Sequence, residues 1–436
     1  MNFMMTGTSH YTTTILLSPF WCARLARPAI VRMENMNQRT TLPLWAWGGI
    51  VLLLVCLSRI SIDIYLPSLP AMADALHASD AQLQLTLSLF MAGSAASMLA
   101  CGPLADRYGR RPVLLAGTGI YVLASIVCTV TSDVHVLIAA RVLQAFGGCS
   151  GTIIGRVMVR DRFDPATQAR MLGQISMMMG LSPILAPLAG SVLDAAFGWR
   201  AVFGVLCALG ALSLWLIAAY VPETRPANVV PQGNTLALYR RLLGDAYFLR
   251  YALAIGCVYC TYFPFIAESS VLLQRGMQLS SGAYALVFAL TVSGYIAGSS
   301  LFRALGPRLG ADYLLGVAVL VNVAGAASLL LAGSLAPQHV AALVAPMLLV
   351  MVSVGMAIPA CQLAVLQPYG AQAGSASGLF FFVQMAITAV CGAVIAAITD
   401  GSEKPLLWVT AAASGAFAAV WLLTKSRTGA TAATLT

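Results

Sequence analysis

Apolar stretches about twenty residues long recur twelve times along the chain. They fall at roughly 44–66, 82–103, 112–131, 134–155, 168–193 and 199–221, then at 247–270, 282–304, 312–333, 340–361, 374–398 and 405–424. A helix needs about 20 apolar residues to cross a bilayer core, and a spanning segment must satisfy its own backbone hydrogen bonds. The pattern predicts an all-α membrane protein with twelve transmembrane helices in two six-helix halves. Only 9% of the 436 residues are charged, against about 25% in soluble domains. A net charge of +9 would suggest a nucleic-acid partner in a soluble chain. Here the basic residues sit in short loops between spans, where they report topology.

The polar stretch Pro222–Asp245 is the one clear linker. The expected organisation is a cytoplasmic, disordered tail over 1–42, a first half over 43–221, a cytoplasmic linker over 222–246, a second half over 247–424 and a cytoplasmic tail over 425–436. The first tail has an apolar run, Ile15–Ala23, too short to span. No basic region precedes that run, which argues against a signal peptide; Met33 and Met36 stand beside Met1 as possible starts. With Arg156 counted at the inner end of the fourth span, 19 of the 24 Lys and Arg lie in one set of loops and tails. Arg200, Arg275 and Lys404 lie on the other side, and Arg59 and Arg141 lie within spans. That bias expects both termini in the cytoplasm.

Ten cysteines are scattered through mostly apolar segments, and His10, His77, His135 and His339 are far apart. Cys257 and Cys260 form a C-x-x-C string inside a span, so no metal site is expected. No phosphate-binding glycine string occurs, so no nucleotide is expected. Nor does a nucleophile–base set appear, and an enzyme is not expected.

The loop between the second and third spans reads Gly102-Pro-Leu-Ala-Asp-Arg-Tyr-Gly-Arg-Arg-Pro112. Arg107, Arg110 and Arg111 would remain on the cytoplasmic side during insertion. Gly102 and Gly109 permit a tight turn and close helix approach, and Pro112 suits a helix's first turn. Asp106 can accept hydrogen bonds from an arginine or a helix N-terminus. A plain positive-inside loop explains the arginines but not the ordered string Gly-x-x-x-Asp-Arg-x-Gly-Arg-Arg. That string resembles motif A of the major facilitator superfamily. A shift of 197 residues sets Gly109 on Gly306, Arg111 on Arg308 and Asp106 on Arg303, a degenerate second copy in the loop between spans eight and nine. Such a repeat implies two parallel halves with substrate near the midplane between them.

The fourth span carries Arg141, Gln144 and Gly147, with Ala145 and Gly148 between and after them. An arginine inside a span is costly unless paired or facing a cavity; the alternative is an arginine snorkelling to the membrane surface. The pattern resembles motif B of proton-coupled facilitators, which implies a part in proton transfer. The fifth span holds Gly173, Ser182, Pro183, Ala186, Pro187, Gly190 and Ser191. It resembles motif C, the exporter signature, with Ser182, Ala186 and Ser191 in place of glycine. Small residues let a neighbouring helix approach, and the two prolines remove backbone donors. Gly198-Trp-Arg-Ala-Val-Phe203 opens the sixth span, as in similar exporters.

The first span ends in Ser61-Ile-Asp63-Ile-Tyr65-Leu-Pro67-Ser-Leu-Pro70. This resembles the Bcr/CflA branch of drug:proton antiporters, which includes bicyclomycin and chloramphenicol exporters. Arg59 departs from that pattern, where a small or apolar residue is usual. It stands four residues before Asp63, so the two share a helix face and are expected to pair. In the second half Glu268 follows Tyr259, Tyr262, Phe263 and Phe265. It reads either as a second protonatable site or pole for a cationic substrate, or as an interfacial residue touching water. The aromatics read as drug-stacking or as membrane packing, and Gln384 as a polar group facing the cavity.

Taken with the resemblance, these readings expect an exporter of small amphipathic compounds in exchange for protons, multi-pass in a bacterial inner membrane. Proton coupling is expected at Asp63, Arg59, Arg141 and Glu268. Gly102, Asp106, Arg107, Gly109, Arg110 and Arg111 would form a cytoplasmic latch holding the halves closed. Tyr65, Tyr259, Tyr262, Phe263 and Gln384 are cavity candidates. The proton gradient replaces any cofactor, the partners are substrate, protons and lipid, and a monomer is expected. A metabolite or amino-acid exporter of the same fold is the alternative.

Overall fold

Long apolar segments leave the backbone one economical solution, and the chain takes it. The structure, a computed structural model, describes residues 43–225, 235–336, 339–366 and 373–432, and these hold helices and no strand. The tail expected over 1–42, the middle of the linker and residues 433–436 lie outside the described residues. From Trp45 onward the described residues pack as one unit. Among the described residues, twelve spans are long and apolar enough to cross a membrane, from Trp45–Leu76 to Lys404–Leu423.

In the first half, α1 is Leu44–Asp63, followed by a 3-10 turn at Leu66–Ser68 and the short α2, Leu69–Leu76. Then come α3 (Asp80–Tyr108), α4 (Arg110–Val130), α5 (Val134–Arg162), α6 (Pro165–Phe197) and α7 (Trp199–Tyr220). The linker contains a helix of its own, α8, Thr235–Gly244. The second half has α9 (Ala246–Val271), α10 (Ser281–Leu309), α11 (Ala311–Leu335), α12 (Val340–Leu366), α13 (Ala373–Ile398) and α14 (Lys404–Ala432). A π-helical turn, Leu272–Gly276, extends α9, and α14 continues as helix into the expected tail.

Within the halves, α5 packs on α3 and α4, and α12 on α10 and α11. Between them, α3 lies along α13 and α6 along α10. The α3–α4 turn defines what is called here the hairpin end; the opposite end is the far end. Ser79 starts α3 with a capping box, its side chain accepting from the Gln82 N–H while Gln82 bonds back to the Ser79 N–H.

Gly109 makes the hairpin turn at φ 103°, backbone that disfavours any residue with a Cβ. Gly102 does not share that job. It lies inside α3 with open space where its Cβ would be, so the expected close approach is absent there. The second copy of the turn is at Gly310, φ 81°, joining α10 to α11. Gly306, on which the sequence alignment set Gly109, lies four residues earlier inside α10. The corrected register sets Pro307, not Arg303, opposite Asp106.

Candidate functional site

Asp63 is the last residue of α1, where two prolines downstream deny further helical donors. Its carboxylate is fully buried, and Arg59 Nε lies 3.1 Å from Oδ2. This is a charge contact, since neither Asp63 oxygen accepts an aligned hydrogen bond. The expected i,i+4 pair is therefore present. Ser182 of α6 faces the same carboxylate, and its Oγ has no aligned partner either. On the guanidinium side stand Tyr259 and Tyr262 of α9 and Tyr295 of α10. Arg59 keeps 18% exposure while Asp63 has none. The pair thus sits between the halves with the arginine turned to the remaining space.

The small residues of α6 explain how Ser182 reaches this point. A Cβ on Gly190 would lie 1.8 Å from the carbonyl oxygen of Ile64, so α6 rests directly on the backbone after α1. Ser182, Pro183, Ala186, Pro187 and Gly190 are all buried. Gly173 is exposed and its Cβ would meet nothing within 4 Å; close packing does not explain it.

Arg141 on α5 is fully buried and does not snorkel. Its guanidinium lies 4.3 Å from the ring centres of both Tyr65 and Phe90, with Phe203 at 5.9 Å. Such cation–π contacts replace part of its hydration. One nitrogen donates to Gln144 Oε1 at 2.5 Å, and Gln144 Nε2 donates to Ser125 Oγ at 2.8 Å. Its Nε and second terminal nitrogen have no hydrogen-bond partner. Tyr65, read from sequence as a cavity residue, belongs to this cage; its hydroxyl bonds Thr86 at 3.0 Å. At Gly147 a Cβ would lie 2.4 Å from the Gly117 carbonyl, which brings α5 against α4.

Glu268 has 2% exposure, so it is not an interfacial residue touching water. Thr399 Oγ1 donates to its Oε1 at 2.9 Å and Gln84 Nε2 approaches at 3.5 Å. Gln84 comes from the first half and Glu268 from the second. Phe263 is buried against α13 at Gly392. Gln384 is also buried, and neither end of its amide has a partner.

Further bonds join the halves at this far end. Ser270 Oγ donates to the Leu66 carbonyl at 2.6 Å and Gln274 Nε2 to that of Pro67 at 2.9 Å. Arg275 donates to the Pro70 carbonyl at 2.9 Å, pairs with Asp80 at 3.1 Å and also pairs with Asp74.

At the hairpin, Asp106 pairs with Arg110 at 2.5 Å, and Arg110 Nε reaches Asp161 of α5 at 3.3 Å. Glu223, just after α7, accepts from the backbone N–H groups of Arg110 (2.9 Å) and Arg111 (3.2 Å). It caps α4 where no side chain of that helix does. Arg111 donates to the Ala218 carbonyl, and Arg225 to that of Arg107. These partners belong to the first half and the start of the linker. Asp161 and Glu223 escaped the sequence reading, although each is an acid set among arginines, the signal that marked Asp106.

A family model described as Major Facilitator Superfamily matches residues 51–393. The chain is similar to an uncharacterized MFS-type transporter, YdgK, of Bacillus subtilis (strain 168). The two are 28% identical over 385 residues, 86% of this chain and 95% of that one. It is also similar to a multidrug resistance protein, MdtL, of Escherichia coli O139:H28 (strain E24377A / ETEC). That relation is 31% over 346 residues, 78% of this chain and 84% of the relative. Among solved structures, a bacterial homolog of the human lysosomal transporter Spinster superposes with a TM-score of 0.71 at 16% identity. It covers 89% of this chain and 98% of that chain.

Proposed function

The chain belongs to the major facilitator superfamily, and on that footing we propose that it is a proton-coupled exporter of small amphipathic compounds, of the Bcr/CflA kind. The observation that carries this reading is the Arg59–Asp63 pair. It is a fully buried carboxylate between the halves, held by one arginine and faced by the motif C serine. A proton on Asp63 would cancel its attraction for Arg59 and leave the arginine free to move. A change of charge at this point therefore alters what α1, α6, α9 and α10 gain by staying together, which is what a ligand-driven population shift requires. Support for drug export comes from the relative named as a multidrug resistance protein.

In this reading the hairpin end is cytoplasmic, together with both termini, and the membrane is the bacterial inner one. Arg141 holds charge beside the proton route, and the motif A cluster latches the halves when the cytoplasmic side closes. The protein works as a monomer and uses the proton gradient, with no cofactor.

Everted vesicles test it. Adding chloramphenicol, bicyclomycin or a quinolone to vesicles holding a pre-formed proton gradient should release protons with wild type and not with Asp63→Asn. Proton release unchanged in Asp63→Asn, at equal protein level, would remove Asp63 from coupling. No release with any compound would sink the exchange reading.

A further inference from the structure

The charges at the middle of the molecule bear on what is carried, and the inference rests on the exporter reading above. Arg156, expected at the inner end of the fourth span, lies inside α5, which runs on to Arg162. Its guanidinium reaches Met179 Sδ of α6 at 2.9 Å, stands 6.0 Å from the Phe381 ring of α13, and faces Cys56 of α1 and Tyr259 of α9. Both halves therefore surround it. Tyr259 also faces Arg59, so one ring neighbours both guanidiniums in the space between the halves.

That space is short of negative charge. Among the described acids only Asp63 and Glu268 are buried. Asp63 is committed to Arg59, and Glu268 is held by Thr399 and Gln84 toward the far end. No ion pair to Arg156 exists among the described residues. Two guanidiniums and one carboxylate leave a net charge of +1. A thioether is a weak acceptor, and a cation in a span without a counter-charge is costly. The same nitrogens are the donors best suited to oxygen acceptors, and the rings of Tyr259 and Phe381 supply flat apolar faces beside them.

From this we infer that Arg156 contacts substrate and determines specificity. It takes an oxygen acceptor of the cargo, such as a carboxylate, nitro or carbonyl group on an aromatic frame, while the excess positive charge excludes organic cations. Arg59 completes the charge but stays engaged with Asp63.

The test measures binding alone, through the thermal shift of purified full-length protein in detergent. The probes are chloramphenicol, 2-naphthoate, methyl 2-naphthoate and tetraphenylphosphonium. Naphthoate and its ester distinguish an anionic from a neutral acceptor. At least one acceptor compound should bind wild type, and tetraphenylphosphonium should not. Arg156→Gln should weaken acceptor binding about tenfold, the loss of one charge-assisted hydrogen bond. Arg156→Lys should restore part of it, and Arg156→Glu should admit tetraphenylphosphonium. If a variant does not fold, the wild-type probes still decide. Preference of wild type for tetraphenylphosphonium, absence of binding by every acceptor compound, or unchanged affinities in a folded Arg156→Gln each overturn the proposal. A chain that shows the binding pattern but no proton release in vesicles loses the exchange reading and keeps the Arg156 site.

Discussion

Among the described residues, polar bonds at the far end of the molecule run from one half to the other, whereas those of the hairpin stay within the first half and the start of the linker. Leu66, Pro67 and Pro70 offer carbonyls in a turn where proline has removed donors, and Ser270, Gln274 and Arg275 supply the missing donors from the second half. The hairpin is more highly charged, yet Arg110 is satisfied by Asp106 and Asp161 of its own half and by Glu223 at the start of the linker. Density of charge therefore does not reveal which end holds the halves together; the sequence distance between partners does. An alternating-access protein needs one end tied while the other is free. The geometry fits a state tied at the far end, with the proposed motif A latch bonded internally rather than across.

The largest effect is expected at Gly190. A Cβ there meets backbone oxygen that cannot swing away, so Gly190→Ala should cost about 3 kcal/mol of stability, read as loss of monodisperse protein on gel filtration. Gly173→Ala, in open space on the same helix, should stay within about 0.5 kcal/mol. Equal losses would mean that contact between α6 and the end of α1 does not organise the far end.

Arg275→Gln should act less on folding than on the balance between states. It removes two ion pairs that are part-exposed, each worth about 0.2–1 kcal/mol. A cysteine replacing Leu66 in a background without native cysteines should then react roughly threefold faster with an impermeant thiol reagent. An unchanged rate would show that Arg275 decorates the far end without tying it. Asp106→Asn sharpens the other side. Asp106 is 54% exposed, so stability should change by less than about 1 kcal/mol while transport falls. Equal efflux at equal protein level would remove the latch.

Much of this was readable from sequence, for definite reasons. A span must be apolar for its whole length, so twelve of them stand out, and an i,i+4 spacing brought Arg59 to Asp63 without knowledge of any other helix. Contacts between helices were hidden. Nothing local announces that Ser182 faces Asp63 or that Tyr65 serves Arg141, because periodicity gives a helix face and not its neighbour. Arg156 reads from sequence as the inner end of the fourth span because charge ends an apolar window, although the helix runs on to Arg162. The second hairpin was misregistered by four residues because a degenerate copy offered several glycines and only Gly310 has the left-handed backbone.

The smallest effect tests the internal character of the hairpin. Glu223 lies outside the spans and is partly buried, which alone would push its carboxyl up. The backbone N–H groups of Arg225, Arg110, Arg111 and Thr224 outweigh that and hold it below the ordinary carboxylate value of 4.5. Hydrogen bonds to the charged form have this sign. A carboxyl whose value falls on folding stabilises the fold fully above its unfolded value, and the stabilisation is lost as pH drops through the folded value. At pH 7, Glu223→Gln should therefore cost about 1 kcal/mol, the usual worth of a helix cap. The amide oxygen can still accept from one or two of the four donors, which keeps the loss from being larger. Thermal unfolding of both proteins across pH 7 to 3 reads the result: the gap should be constant down to about pH 4.5 and shrink below it. A gap that persists in acid would mean that Glu223 acts by shape, and the bond from α7 to the start of α4 would not depend on its charge.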